Sequence, residues 1–155
     1  MDIRLSDVTE PQVRALLEEH HQDMLCHSPV ESVHTLDVSG LQAGDVSFWC
    51  LWLGDELAGC GALKQLNEQH AELKSMRTAN AHLRKGVAAA LLRHILDEAL
   101  SRGYQKLSLE TGSMEAFAPA WSLYQSFGFD FCGPFASYQA DPYSKFMSKS
   151  LISAP

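Results

Sequence analysis

The sequence predicts an α/β (α+β) fold, a mixed central sheet with helices on both faces. Three observations carry this. The hydrophobic period switches repeatedly between about 2 and about 3.6 along the chain. A hairpin-rich first half is followed by strand, helix, strand, helix, strand, so antiparallel and parallel pairing must coexist. The 155 residues, 46% of them hydrophobic, suit a single domain over 1–155 with a core that needs no staples.

Each element has its own signal. Ile3–Leu5 is a short strand. Thr9 starts a helix with Pro11 in the first turn, where a missing N–H costs little. Val13, Leu16, Leu17, His20 and Met24 form one face at helical spacing. Pro29 ends that run, and Glu31–Leu41 is expected to form a second, weaker helix. Val46–Leu53, rich in aromatic and branched residues, reads as a strand. Gly54-Asp55 turns the chain, and Glu56–Leu66 returns beside it. Gly59 and Gly61 within it point to a bulge or a close backbone approach. His70–Thr78 is a further strand, in which Leu73 and Met76 share a face only through a bulge. Gly86 opens a long helix with the stripe Val87, Leu91, Leu92, Ile95 and Ala99, closed at Arg102-Gly103. Lys106–Glu110 is a strand. Pro119 begins another helix, with Ala120, Leu123, Tyr124 and Phe127 as its buried face and Gly128 as its end. Phe129–Cys132 and Lys145–Leu151 are the last strands.

Composition excludes several classes. There are 12 Lys plus Arg against 19 Asp plus Glu, a net charge of −7, so nucleic acid is not an expected partner. The longest apolar run, Phe48–Leu53, falls far short of the ~18 residues a membrane span needs. Met1-Asp2-Ile3-Arg4 lacks a basic-then-apolar export signal, which points to a cytoplasmic, reducing setting. Cys26, Cys50, Cys60 and Cys132 are then free thiols, read as small buried hydrophobes. His20-His21 and His27 cluster near a helix end without Cys or carboxylate at ligand spacing, so no metal is expected.

The most informative stretch is Leu73–Leu96. It has no Asp or Glu, yet holds Lys74, Arg77, Arg84, Lys85 and Arg93, five of the chain's 12 cations. The placement reads as an anion site: a strand, then His82–Ala88 with Gly86 as the turn, then a helix. A helix start presents unpaired N–H groups and the positive end of its dipole, which suits a pyrophosphate. The pattern is neither G-x-x-x-x-G-K-[ST] nor G-x-G-x-x-G.

Met76–Leu92 resembles motif A of the GNAT N-acetyltransferases, and Leu123–Phe129 resembles their motif B, L-Y-x-x-x-G-F. The element order also matches that family. Lys74–Thr78, Leu83–Ala88 and Ser108–Ser113 are similar, more narrowly, to the bacterial indole-3-acetic acid acetyltransferase group. The resemblance implies the GNAT (acyl-CoA N-acyltransferase) fold and acetyl-CoA as acetyl donor. It also implies direct transfer to a primary amine of a small molecule or protein in a ternary complex. The cofactor's pantetheine arm would contact Met76, Arg77 and Thr78. Its pyrophosphate would sit on N–H groups of Leu83, Arg84, Lys85, Gly86, Val87, Ala88 and Ala89. The family often forms homodimers. Two other readings stand beside this one: a silent acyl-CoA sensor domain, and a non-enzymatic interaction protein. Two positions depart from the family pattern. Leu83 stands where Gln or Arg is usual, with Arg84 one place late, which leaves open which cation meets the phosphates. Phe117 stands where an Asn is common.

The chemistry sets the remaining needs. A neutral amine must attack the thioester, the oxyanion needs donors, and the thiolate leaves more easily if protonated. Tyr124, by its place in motif B, is the candidate acid. Glu72 and Glu110, at or near strand ends, compete as candidate base, with His70 and His82 as further candidates. Phe48, Trp49, Trp52 and Trp121 are assigned to the core. Phe131–Tyr143, with Phe135, Tyr138 and Tyr143, reads as an acceptor-side wall or as packing.

Overall fold

The computed structural model describes residues 1–33 and 38–151. Its strands are β1 (Asp2–Leu5), β2 (Val46–Leu53), β3 (Glu56–Gln65), β4 (His70–Thr78), β5 (Lys106–Gly112), β6 (Asp130–Cys132) and β7 (Ser144–Ser150). Its helices are α1 (Pro11–His27), α2 (Val38–Leu41), α3 (Val87–Ser101) and α4 (Ala118–Ser126). The strands form one mixed sheet in the order β1-β2-β3-β4-β5-β7-β6, and β4–β5 is its parallel pair. The expected element order is present. The second helix is the exception: Val30–Ser32 makes a 3-10 turn and α2 is a single turn, while residues 34–37 of that expected helix lie outside the described residues.

The helices cover both faces because alternate residues of β2 point opposite ways. Phe48, Cys50 and Trp52 join Val13 and Leu16 of α1 in one core cluster. Trp49 and Leu51 join Val87, Leu91, Leu92 and Ile95 of α3 in the other, with Tyr124 of α4. Trp121 is an exception among the expected core aromatics. It is half-buried, donates from Nε1 to the Gly112 carbonyl at 2.9 Å, and carries the Lys145 ammonium 4.7 Å from its ring centroid. The thiols also divide. Cys50 and Cys60 are buried neighbours across β2–β3, and burial pushes the Cys50 thiol up to about 12. Cys26 and Cys132 are exposed, contrary to expectation, because one sits near the end of α1 and the other on the edge strand β6.

Gly59 and Gly61 let α3 and β4 lie close on β3. A Cβ at Gly59 would come within 2.7 Å of Val87 Cγ1 and 2.8 Å of the Arg77 carbonyl oxygen. The bulge expected in β4 falls at Ser75, which has φ 56°; between Ala62↔Lys74 and Cys60↔Arg77, β4 spends three steps where β3 spends two. Leu73 and Met76 thereby pack on the same cluster.

Candidate active site

The bulge opens the sheet. β4 and β5 pair only from His70↔Lys106 to Leu73↔Leu109. Beyond that point β4 continues along β3, and β5 continues along β7 to Gly112↔Ser144. The facing edges of Lys74–Thr78 and Glu110–Gly112 therefore diverge, and among the described residues no ladder pairing joins them. Cys60 fixes the bulge by donating its thiol to the Ser75 carbonyl at 3.3 Å.

The chain then makes a 3-10 turn, Asn80–His82, and enters α3 through two left-handed residues, Arg84 (φ 64°) and Gly86 (φ 81°). The first α3 bond runs from the Ala90 N–H to the Gly86 carbonyl, no side chain caps the helix, and its first turn has no acid. The N–H groups of Val87, Ala88 and Ala89 thus have no partner within the helix. The Val87 side chain itself is buried in the core. Behind the turn, Lys85 Nζ donates to His82 Nδ1 at 3.0 Å, and His82 Nε2 lies 3.0 Å from Glu56 Oε2. Since lysine only donates, His82 Nδ1 accepts and its proton rests on Nε2.

The acid-free window does not converge on one anion. Arg84 and Lys85 are exposed on the turn. Arg77 is held by Glu19 at 2.8 Å and Asp23 at 2.7 Å, clamping α1 onto β4. Burial alone would lower its pKa, but these two carboxylates raise it. Arg93 lies over the Phe127 ring, and Lys74 turns inward.

Two hollows meet at the opening. A cleft of about 500 Å³ is lined by Met76, Arg77, Thr78, Leu83 and Ala88 among others. A smaller cavity of about 130 Å³ on the other side is lined by Glu72, Lys74, Glu110 and Tyr143 among others. Both are lined by His20, Met24, Met76, Phe117, Ala120 and Tyr124. Phe117 occupies the space above Gly112, where any Cβ would collide with its ring.

The catalytic candidates fall as follows. Tyr124 stands at the junction, and burial pushes its phenol well above the usual range, so it stays protonated at neutral pH. Glu72 is buried, and its Oε2 accepts from Tyr138 Oη at 2.5 Å and Lys74 Nζ at 3.2 Å. Lys74 also donates to Tyr138 Oη at 2.8 Å. Glu110 is half-buried and accepts from Ser144 Oγ at 2.9 Å. His70 and His82 line neither hollow: His70 bonds Ser108 at 2.6 Å, and His82 sits behind the Arg84–Gly86 turn. In the aromatic loop, Tyr143 walls the cavity while Phe135 and Tyr138 pack on Phe146. Sequence reasoning missed His20 and Lys74 as cavity groups. A histidine inside the apolar stripe of α1 was the signal for His20.

Residues 11–129 match the acetyltransferase (GNAT) family. A Bacillus subtilis protein, uncharacterized N-acetyltransferase YsnE, is 55% identical over 97% of this chain and 100% of its own. The Escherichia coli protein YedL, also described as an uncharacterized N-acetyltransferase, is 50% identical over 96% of this chain and 94% of its own. An IAA acetyltransferase of Azospirillum brasilense is more distant, at 37% over 79% and 80%. Among solved structures, a Klebsiella pneumoniae chain described as an acyl-CoA N-acyltransferase superposes with a TM-score of 0.79 at 26% identity, covering 97% of both chains.

Proposed function

The chain belongs to the GNAT family of acetyltransferases, and from that premise we propose that it moves the acetyl group of acetyl-CoA directly to a primary amine of a small molecule, in a ternary complex. The observation that carries this reading is the divergence of β4 from β5 after Leu73↔Leu109. It frees the backbone edge of Met76, Arg77 and Thr78 for an amide-bearing arm, and leads to a turn with unpartnered N–H groups for phosphates. The residues present therefore fit acetyl-CoA, whose thioester is the activated acyl group. Arg84 and Lys85 would add charge at the phosphates, with Leu83, Gly86 and Ala88 letting the backbone approach. On the amine side, Glu72 or Glu110 would take the ammonium proton, and Tyr124 would protonate the thiolate. No enzyme nucleophile is needed. Protein amines are a less favoured acceptor, since the cavity of about 130 Å³ suits a small group.

The test has two stages. Acetyl-CoA at ~100 times its Kd should stabilise the fold by about 2.7 kcal/mol, read as a rise in Tm. Gly86→Glu should abolish that rise by placing a side chain and a negative charge in the turn. Thiol release is then screened over amino acids, polyamines, aminoglycosides, aryl amines and peptides. Indole-3-acetic acid is included because one relative is named for it, although it has no primary amine. No Tm shift in the wild type would refute the cofactor assignment. Binding without turnover on any amine would leave an acyl-CoA sensor.

A further inference from the structure

Of the six residues that line both hollows, only His20 and Tyr124 carry polar side chains. An acyl donor lying in the cleft and an amine held in the cavity must meet there. The reaction has two polar needs at that point: a proton for the departing thiolate, and a donor for the carbonyl oxygen as it gains charge. Tyr124 suits the first. We propose that His20 supplies the second, donating its Nε2–H to the acetyl carbonyl oxygen of acetyl-CoA. The inference rests on the acetyl-CoA reading given above.

The ring's own environment argues for this. His20 is 8% exposed, and its Nδ1 is sealed from solvent with no hydrogen-bond partner among the described residues. A buried polar atom without a partner calls for an explanation. Stranding an N–H is the rarer outcome in folded proteins, so the sealed Nδ1 carries the lone pair and the proton sits on Nε2. Nε2 is then the polar atom the ring offers to the hollows it lines. Burial, reinforced by the nearby Arg77 charge, pushes the imidazole pKa down to about 4, which outweighs the opposite pull of Asp23. The ring is neutral at neutral pH, so it acts as an N–H donor and does not repel an incoming cationic amine.

The step balances. The amine nitrogen bonds to the carbonyl carbon, and the C=O π pair moves onto oxygen, where the His20 hydrogen bond strengthens. The pair returns, the C–S bond breaks, and sulfur leaves with its electrons to take the Tyr124 proton. The new N–C bond loses one amine proton, which restores Tyr124 directly or through a carboxylate. The products are an amide and a thiol, with His20 unchanged.

The experiment reads the carbonyl itself. In infrared difference spectra of bound [1-¹³C]acetyl-CoA, the thioester C=O stretch should lie lower in the wild type than in His20→Ala. A ground-state hydrogen bond to a neutral oxygen is weak, so the acetyl-CoA Kd should change by about tenfold at most. With an amine the wild type turns over, kcat should fall ~10²–10³-fold, the typical loss for one oxyanion donor. His20→Gln, which keeps an N–H, should recover part of it. If His20→Ala does not fold, ¹⁵N NMR of the wild type serves instead. It should show the proton on Nε2 and a larger Nε2 shift with acetyl-CoA than with CoA. Equal C=O stretches in the two proteins, or a proton on Nδ1, would overturn the proposal alone. A wild type that binds no acetyl-CoA would overturn the reading beneath it as well.

Discussion

Replacing Gly59 by alanine tests whether the close approach of β3 to α3 and β4 sets both stability and cofactor binding. The added Cβ would lie 2.7 Å from Val87 Cγ1, 2.8 Å from the Arg77 carbonyl oxygen and 3.1 Å from Leu91 Cδ1. Val87 is 1% exposed and Leu91 0%, so neither side chain has room to swing away, and the carbonyl is backbone. Either α3 lifts from the sheet or β4 shifts. Forcing one methyl group into a packed core costs about 1–3 kcal/mol, and two contacts under 3 Å place this case in the upper half. Alanine also restricts the unfolded chain, which offsets about 0.4–1 kcal/mol. The net is about 2 kcal/mol, or a Tm lower by about 4–8 °C for a domain of this size. Calorimetry and urea unfolding measure it. The displaced parts carry the Val87–Ala89 N–H groups and the Met76–Thr78 edge, so KM for acetyl-CoA should rise with kcat little changed. Gly133→Ala is the control: a Cβ there meets nothing within 4 Å, and stability should stay within about 0.5 kcal/mol. If Gly59→Ala is as stable as that control, the packing argument is wrong.

Two further outcomes are expected. Tyr124→Phe keeps the edge contact with Phe129 but loses the hydroxyl, so kcat should fall ~10²-fold at constant acetyl-CoA affinity; a loss below about tenfold would make Tyr124 a packing residue. His20 makes stability depend on pH. Its pKa is about 4 in the fold against an ordinary 6.5, so between these values the unfolded chain binds a proton that the folded chain refuses. Its contribution is intact above about pH 6.5 and is lost as pH falls toward 4, on the order of 3 kcal/mol in all. Urea midpoints from pH 7 to pH 4.5 should therefore fall less steeply in His20→Gln than in the wild type; parallel curves would refute the assignment.

The elements were legible because each obeys a local rule. The stripe from Val87 to Ala99 is helical in period, Gly54-Asp55 turns a hairpin, and the mismatch of Leu73 with Met76 announced the bulge at Ser75. The second helix was not legible, because Glu31–Leu41 has apolar residues but no sustained period to outweigh tertiary packing. The site was half legible. Gly86 and the basic turn lie together in sequence, so composition reveals them. Tyr138 and Glu72 are 66 residues apart, and Arg77 is 58 from Glu19. Pairings of that kind depend on the sheet order, which no window of sequence contains. The same gap explains why Arg77 was misread, since its carboxylates, Glu19 and Asp23, lie on α1. Lys74 instead meets Glu72 two residues back, an acid just before the stretch begins.

Those carboxylate contacts bear on which acid can act as the base. Glu72 already accepts two hydrogen bonds and neutralises Lys74, whose side chain is 9% exposed. That carboxylate holds a buried ammonium in place. Removing its charge would leave that ammonium stranded, a loss of about 3–5 kcal/mol for a broken buried pair. A kinetic defect in Glu72→Gln would therefore mix structural damage with chemistry. Glu110 lines the same cavity from the diverging edge of β5 and accepts a hydrogen bond from the neutral Ser144 hydroxyl. Glu110→Gln keeps the Glu72–Lys74 pair, so it is the cleaner substitution. If Glu110 takes the amine proton, activity lost in Glu110→Gln returns partly at high pH, where the amine is already neutral. If the loss is the same at every pH, Glu110 is not the base. If there is no loss, Glu72 takes the proton, or the amine sheds it to water or before it binds.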